Sequence, residues 1–214
     1  MHFVHPFSFI NNWRIVMAKR RVAVFVGSDS DILEQCSAGL LVLRDEVLEG
    51  TIEDMGVYTM SVHWNHAELY ELLHKQVMTQ TIDVIIAGAG WAAHLPGMID
   101  AILGKELRNT TIHVIGVAFE DKHNSRHTLA AELSISEVPK TRVIFADDHG
   151  SFIGMRGFRR ACIFAATGDL PTLKLPTDAE FEKRESRRRT ILEALEFIDQ
   201  ELQKRANALP DKAK

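Results

Sequence analysis

Short runs rich in β-branched residues alternate with helix-patterned stretches along most of the chain, and this alternation leaves few folds open. Residues 21–26 (Arg-Val-Ala-Val-Phe-Val) end at Gly27, residues 55–62 form a second run, residues 82–87 end in glycines, and residues 112–117 form a fourth. Near-continuous apolar runs of this length are what parallel strands buried on both faces require. Helical periodicity is expected over 32–46, 67–78, 96–103, near 128–134 and over 152–166, with a short strand at 142–145 before the last. Asp31 and Glu34 fit a capping-box-like start for the first helix, where side-chain oxygens meet free backbone N–H groups. Strand–helix alternation implies a parallel sheet with helices on both faces. Ligands of such sheets bind where loops leave the carboxyl ends of the strands. The three least ordinary loops, 27–31, 61–66 and 88–97, all follow expected strands and are therefore expected to converge.

At 214 residues the chain suits one domain with a full core plus extensions. The domain is expected over 20–170, with an N-terminal extension at 1–19 and a charged amphipathic C-terminal helix within 171–214. The first segment lacks the uninterrupted apolar block of a signal peptide. Either Met17 is the natural start or residues before it form a poorly ordered extension. A formal net charge of -4 argues against a nucleic-acid binder that relies on bulk positive charge. No stretch is long and apolar enough to span a membrane, so a cytoplasmic location is expected. Cys36 and Cys162 lack metal-ligand spacing and read as buried thiols, a disulfide remaining open. Near the C-terminus, Ile191, Leu195, Ile198 and Leu202 recur at helical spacing. Acidic residues are interspersed among the basic ones of 182–189, so this stretch reads as a solvated face rather than a phosphate patch.

The third loop reads Ala87-Gly88-Ala89-Gly90-Trp91-Ala92-Ala93-His94-Leu95-Pro96-Gly97-Met98. Its small residues let backbone approach a ligand, although tight strand–helix packing asks for them equally. The spacing is not that of a dinucleotide fingerprint or a P-loop. The full string is more specific than its glycines. With Gly27-Ser28-Asp29-Ser30-Asp31 after the first strand and Ser61-Val62-His63 after the second, it resembles the aminoimidazole ribonucleotide carboxylase/mutase family over about residues 22–166.

This resemblance implies a three-layer α/β/α, flavodoxin-like (Rossmann-like) sandwich around a central parallel sheet. It also implies a homo-octamer with sites lined by neighbouring subunits and no metal or organic cofactor. The implied activity places a carboxylate on C4 of aminoimidazole ribonucleotide in purine synthesis. The carboxylate comes from N5 in the mutase branch and from carbon dioxide in the carboxylase branch. By position, His63 matches the catalytic histidine and His94 the second histidine of the site. Ser28 and Asp31 match nucleotide-binding positions, Asp31 accepting from ribose hydroxyls. Ser61 matches a phosphate-side contact, and Gly90 would set backbone against base and carboxylate. An imidazole titrates near neutrality and can deliver a proton to one atom and remove it from another within a turnover. His66, His74, His113, His123 and His127 have no such support and read as surface or core residues.

Two positions depart from the family pattern. Trp64 stands where the family carries the arginine expected to neutralise the substrate phosphate, and an indole supplies no charge or bidentate fork. Trp91 replaces a glycine, and its ring either fills part of the pocket or packs in a subunit interface. Both are carried as substrate-side positions. Arg156, Arg159 or Arg160 could replace the lost charge, or form a solvated helix face or subunit contacts. Three readings follow: the family enzyme, a paralogue acting on a different and unphosphorylated small molecule, or a catalytically silent oligomer that binds a metabolite or protein.

Overall fold

The computed structural model describes residues 19–179 and 188–208. Strands β1 (Arg20–Val26), β2 (Ile52–Thr59), β3 (Val84–Ala89) and β4 (His113–Ala118) form a parallel sheet in the order β2-β1-β3-β4. Helix α1 (Ser37–Glu49) is reached through a helical turn at Asp29–Asp31 and a π-type turn at Ile32–Cys36. Then come α2 (Val62–Thr79), α3 (His94–Ala101), α4 (Ser125–Ser136) and α5 (Gly154–Thr167), with α3 running on into a π-type turn at Ile102–Glu106.

The pleat sorts side chains into two cores. Val22, Val24 and Val26 of β1 join Val84, Ile86, Ile115 and Val117 under α1 and α5. Ala23 and Phe25 join Ile85, Ala87 and Val114 under α2, α3 and α4. This is the three-layer α/β/α arrangement, flavodoxin-like in strand order. Phe25, Phe152 and Phe158 are fully buried, and each such side chain contributes about 1.5–3 kcal/mol on leaving water. Gly39 brings α1 onto α5: a Cβ there would lie 2.4 Å from the Phe158 ring.

The order of strands locates the place where ligands can enter. From β1 the chain crosses outward to β2, whereas from β3 it crosses the other way to β4. Their carboxyl ends therefore part around a crevice, the topological switch point of a doubly wound sheet.

Several boundaries differ from those expected. β2 runs over Ile52–Thr59 rather than 55–62, because Arg20 pairs with Ile52 and Val26 with Thr59 across a register shift near Val22. It is an edge strand, so polar Glu53 and Asp54 fit in it and the apolar run misleads. Helix α2 begins at Val62 rather than 67, so most of the expected 61–66 loop is its first turn. The first helical turn is capped by Ser28, whose Oγ accepts from Asp31 N–H at 3.3 Å, rather than by an Asp31–Glu34 box. In place of a strand at 142–145, Ile144 makes a single parallel bridge to Ile115 and Ile153 another to Ala118. Between these bridges lies a hairpin, β5 (Ala146–Asp147) and β6 (Gly150–Ser151), that the sequence did not announce.

A separate compact unit begins at Pro176. It contains helix α6 (Ile191–Ala208), which carries the expected apolar stripe. Thr190 and Glu193 form its capping box: Thr190 N–H donates to Glu193 Oε2 at 2.6 Å and Glu193 N–H to Thr190 Oγ1 at 3.3 Å. The extension before Lys19 and most of the charged stretch 182–189 lie outside the described residues. Among the described residues, no helix is long and apolar enough to cross a membrane.

Candidate active site

The three loops meet at the carboxyl edge of the sheet. They line a chamber of about 250 Å³ that includes Ser28, Asp31, Ser61, His63, Gly90, Trp91 and His94. β1 ends in Gly27, and the chain turns under the Ser28 cap so that the Asp31 carboxyl folds back towards it. A Cβ on Gly27 would meet Asp31 Oδ2 at 3.2 Å, a tight contact with the carboxyl. Ser28 Oγ also lies 2.8 Å from Ser30 Oγ, and Thr59 Oγ1 donates to Asp29 Oδ1 at 2.7 Å, tying the loop to the end of β2.

Ser61 caps α2 in an extended conformation, yet its hydroxyl makes no cap hydrogen bond. Its carbonyl takes the N–H groups of Trp64 and Asn65 instead. Asn65 departs from helical geometry, with φ -118° and ψ 26°, so the first turn carrying His63 is offset from the rest of α2. His63 Nε2 thereby lies 3.1 Å from His94 Nδ1, with the rings edge-on at 73°. One nitrogen donates and the other accepts, so the pair can pass a proton between rings. His94 opens α3, whose start is capped by no side chain. A Cβ on Gly90 would meet nothing of this chain closer than 3.8 Å. Packing within the chain therefore does not demand the glycine, whereas close approach by a ligand would.

Burial raises the Asp31 carboxyl pKa above the ordinary carboxylate value, against the opposing hydrogen bonds from Ser28. A folded chain that holds this proton more tightly than the unfolded chain loses stability as pH rises through the folded pKa. Asp31→Asn carries no charge at any pH. Its melting temperature, relative to wild type, is expected to rise from pH 4 towards neutrality and then level, while ligand binding falls. Melting curves across that range check it, and a difference independent of pH would contradict it.

Trp64 does not line the chamber. It is 88% exposed on the first turn of α2. Nor do Arg156, Arg159 and Arg160 reach the chamber. Arg160 pairs with Asp147 at 2.6 Å and stacks over Phe152, and with Arg159 it lines a separate cavity of about 970 Å³ beside the β5–β6 hairpin. Among the described residues, no lysine or arginine lines the chamber. Trp91 does border it, in the left-handed region at φ 57°, a conformation that costs a bulky residue about 1–3 kcal/mol.

The sequence alone gives His127 as a surface or core residue. The structure stacks it against Trp91, with ring centroids 3.9 Å apart, and holds it to Asp121 at 2.7 Å. Nothing in the spacing of 91, 121 and 127 announces this contact, which arises because the loops after β3 and β4 are neighbours. His113 bonds to the Pro171 carbonyl and His74 stacks on Tyr70, both away from the chamber. Cys36 and Cys162 are buried free thiols, and burial pushes the Cys36 pKa up to about 12. Among the described residues, no cluster of three His, Cys, Asp or Glu side chains is arranged to hold a metal ion.

The AIR carboxylase family model matches residues 21–146, more than half the chain and the whole region that builds this chamber. The chain belongs to the AIR carboxylase family. The N5-carboxyaminoimidazole ribonucleotide mutase of Thermotoga maritima is 30% identical over 182 residues, covering 84% of this chain and 92% of the relative. The mutase of the same name from Pyrococcus abyssi is 30% identical over 164 residues, covering 77% and 80%. A solved structure titled "Crystal structure of Treponema denticola PurE" superposes with a TM-score of 0.49 at 14% identity, over 88% of this chain and 93% of that one. The family match stops at residue 146, so the hairpin beyond Ala146, α5 and α6 lie outside it.

Proposed function

We propose that this AIR carboxylase family member transfers a carboxylate to C4 of aminoimidazole ribonucleotide, acting as an N5-carboxyaminoimidazole ribonucleotide mutase. The observation that carries the reading is the His63–His94 pair, 3.1 Å apart in a chamber walled by Gly27, Ala89, Gly90 and Ala92. The reaction needs one proton delivered to N5 as its bond to the carboxylate breaks. It needs one proton removed from C4 after carbon dioxide has joined there. His63 performs both transfers in this proposal, with His94 as its hydrogen-bonded partner, and the small-residue walls leave room for the carbon dioxide between steps. Ser28 and Asp31 hold the sugar side, Ser61 the phosphate side, and Gly90 sets backbone against the ring. A homo-octamer with sites completed by neighbouring subunits, and a cytoplasmic location, belong to the same proposal.

The test is direct. Purified protein supplied with the N5-carboxylated ribonucleotide, without added bicarbonate, is expected to yield the C4-carboxylated product. Product formed only from aminoimidazole ribonucleotide and carbon dioxide would make the protein a carboxylase (lyase) instead of a mutase (isomerase). The absence of turnover in either assay would end the carboxylate-transfer reading.

A second reading is favoured by one specific feature: among the described residues no permanent cation lines the chamber, and Trp64, 88% exposed, occupies the position of the family's arginine. On this reading the substrate lacks the phosphate. A single charge-assisted hydrogen bond is worth about 1.5–3 kcal/mol, or roughly 10–150-fold in affinity. The ribonucleotide is therefore expected to bind less than about tenfold more tightly than its nucleoside, and Trp64→Arg to widen that margin. Calorimetric titration of both ligands measures the ratio. A margin above about 100-fold in the wild type would mean that the phosphate is held by a group outside this lining.

A further inference from the structure

Trp91 is a large, 64% exposed ring on a backbone conformation that suits glycine, so its position must be maintained by what it touches. Its indole lies nearly parallel to the His127 ring, at an interplanar angle of 23°. His127 is fixed from both sides. Its Nδ1–H donates to Asp121 Oδ2 at 2.7 Å, and its Nε2 accepts from Asn124 Nδ2 at 3.1 Å. The direction of the second bond follows from the helix cap. Asn124 Oδ1 already accepts from Arg126 N–H at the start of α4, which leaves only the amide NH2 for the imidazole. Asp121 is fixed in turn: Oδ1 accepts from the backbone N–H groups of His123 and Asn124, and its own N–H donates to Thr128 Oγ1. Hydrogen bonds from His127 first, and then from His123, hold the Asp121 carboxyl below the usual range.

The indole fixed in this way borders two spaces. One is the chamber, and the other is a cavity of about 330 Å³ whose lining includes Glu34, Phe119, Glu120 and Lys122. Ser30, Asp31, Gly90 and Trp91 line both. Carbon dioxide carries no charge and offers poor hydrogen-bond acceptors, so walls rather than bonds decide whether it stays.

We propose that Asp121 and His127 are positioning residues that hold the Trp91 indole as a partition, keeping the carbon dioxide released during carboxylate transfer inside the chamber. The inference rests on the carboxylate-transfer reading. In the step concerned, the N5–carboxylate bond breaks, N5 keeps the electron pair and takes a proton from His63, and carbon dioxide is released. C4 then forms its bond to that carbon and returns its proton to His63. The sequence is redox-neutral and needs no co-reactant.

Unlabelled N5-carboxylated ribonucleotide is turned over in buffer equilibrated with 13C-bicarbonate, and 13C in the product is read by mass spectrometry at early times. The wild type is expected to incorporate little label. His127→Ala should raise incorporation several-fold, and His127→Phe, which keeps the stacked ring, should bring it back down. Trp91→Gly removes the partition outright, and in that background His127→Ala should add nothing. Acrylamide quenching of Trp91, in protein with Trp13→Phe and Trp64→Phe, reads the ring's exposure without turnover and should increase on His127→Ala. Unchanged quenching would overturn the positioning role. Increased quenching with unchanged incorporation, or full incorporation by the wild type, would overturn the partition. Increased quenching in a protein that turns over no substrate would support the positioning role while removing the carboxylate-transfer reading.

Discussion

His63→Asn is expected to lower kcat by about 10³-fold, within the 10²–10⁴-fold range of a positioned acid–base group. Asparagine keeps a hydrogen-bonding side chain of similar reach beside His94 but cannot exchange a proton near neutral pH. His63 is exposed on the first turn of α2, and its side chain hydrogen-bonds to His94. The fold should not notice the change: surface substitutions stay within about 0.5 kcal/mol, which in a domain of this size moves the melting temperature by about 1–2 °C. Steady-state kinetics and a melting curve on the same preparation separate the two effects. A variant that keeps the wild-type rate would show that the proton moves through another group. With substrate binding assigned in the proposal to Ser28, Asp31 and Gly90 and not to His63, KM should change far less than kcat.

The largest expected loss of stability lies elsewhere, under the helix that begins at His94. Asp100 and Arg142 form a buried pair at 2.8 Å, with side chains only 7% and 13% exposed. Asp100 also accepts from the Arg142 backbone N–H at 2.9 Å, and Arg142 Nη1 donates to the Asn109 carbonyl at 2.8 Å. Gly104 makes room for the guanidinium, since a Cβ there would lie 2.4 Å from Nη2. Asp100→Ala leaves a buried cation without its counter-charge, a change that costs about 3–5 kcal/mol. At about 2–4 °C per kcal/mol for a domain of this size, the melting temperature should fall by roughly 10 °C. Asp100→Asn, which retains an acceptor for the backbone N–H, should lose less. Equal melting temperatures for Asp100→Ala and wild type would show that the pair contributes nothing net. Since Asp100 sits one turn and a half beyond His94 on α3, the destabilised variant should also show a weakened His63–His94 contact, read as a further drop in kcat below its own melting range.

These two residues differ in how far the sequence exposes them. His63 and His94 stand in motifs that can be read directly, and their residue types suggest the chemistry before any coordinates. Asp100 and Arg142 are 42 positions apart in segments with no motif, and only folding shows that they neutralise one another. Trp64 and Trp91 are intermediate. Their departure from the family pattern is legible, but where their rings point is not. Trp64 lies two positions after buried Val62, about 200° around a helix at 100° per residue, and so emerges on the opposite side. That outcome depended on α2 starting at Val62, a boundary obscured by the apolar residues of 60–62. Trp91 points where it does because His127 meets it from the first turn of α4.

The chain alone determined the buried strands, the alternation that makes their sheet parallel, and the family to which its loop motifs belong. Apolar periodicity and rigid local motifs are written into neighbouring residues, so they survive without knowledge of distant contacts. Only the tertiary structure decided that two imidazoles stand 3.1 Å apart, that no permanent cation among the described residues lines their chamber, and that His127, bonded to Asp121, stacks on Trp91. Each of these depends on which loops the strand order places side by side. Interactions between side chains fall off within a few ångströms, a scale on which residues far apart in the chain meet only after the sheet has formed.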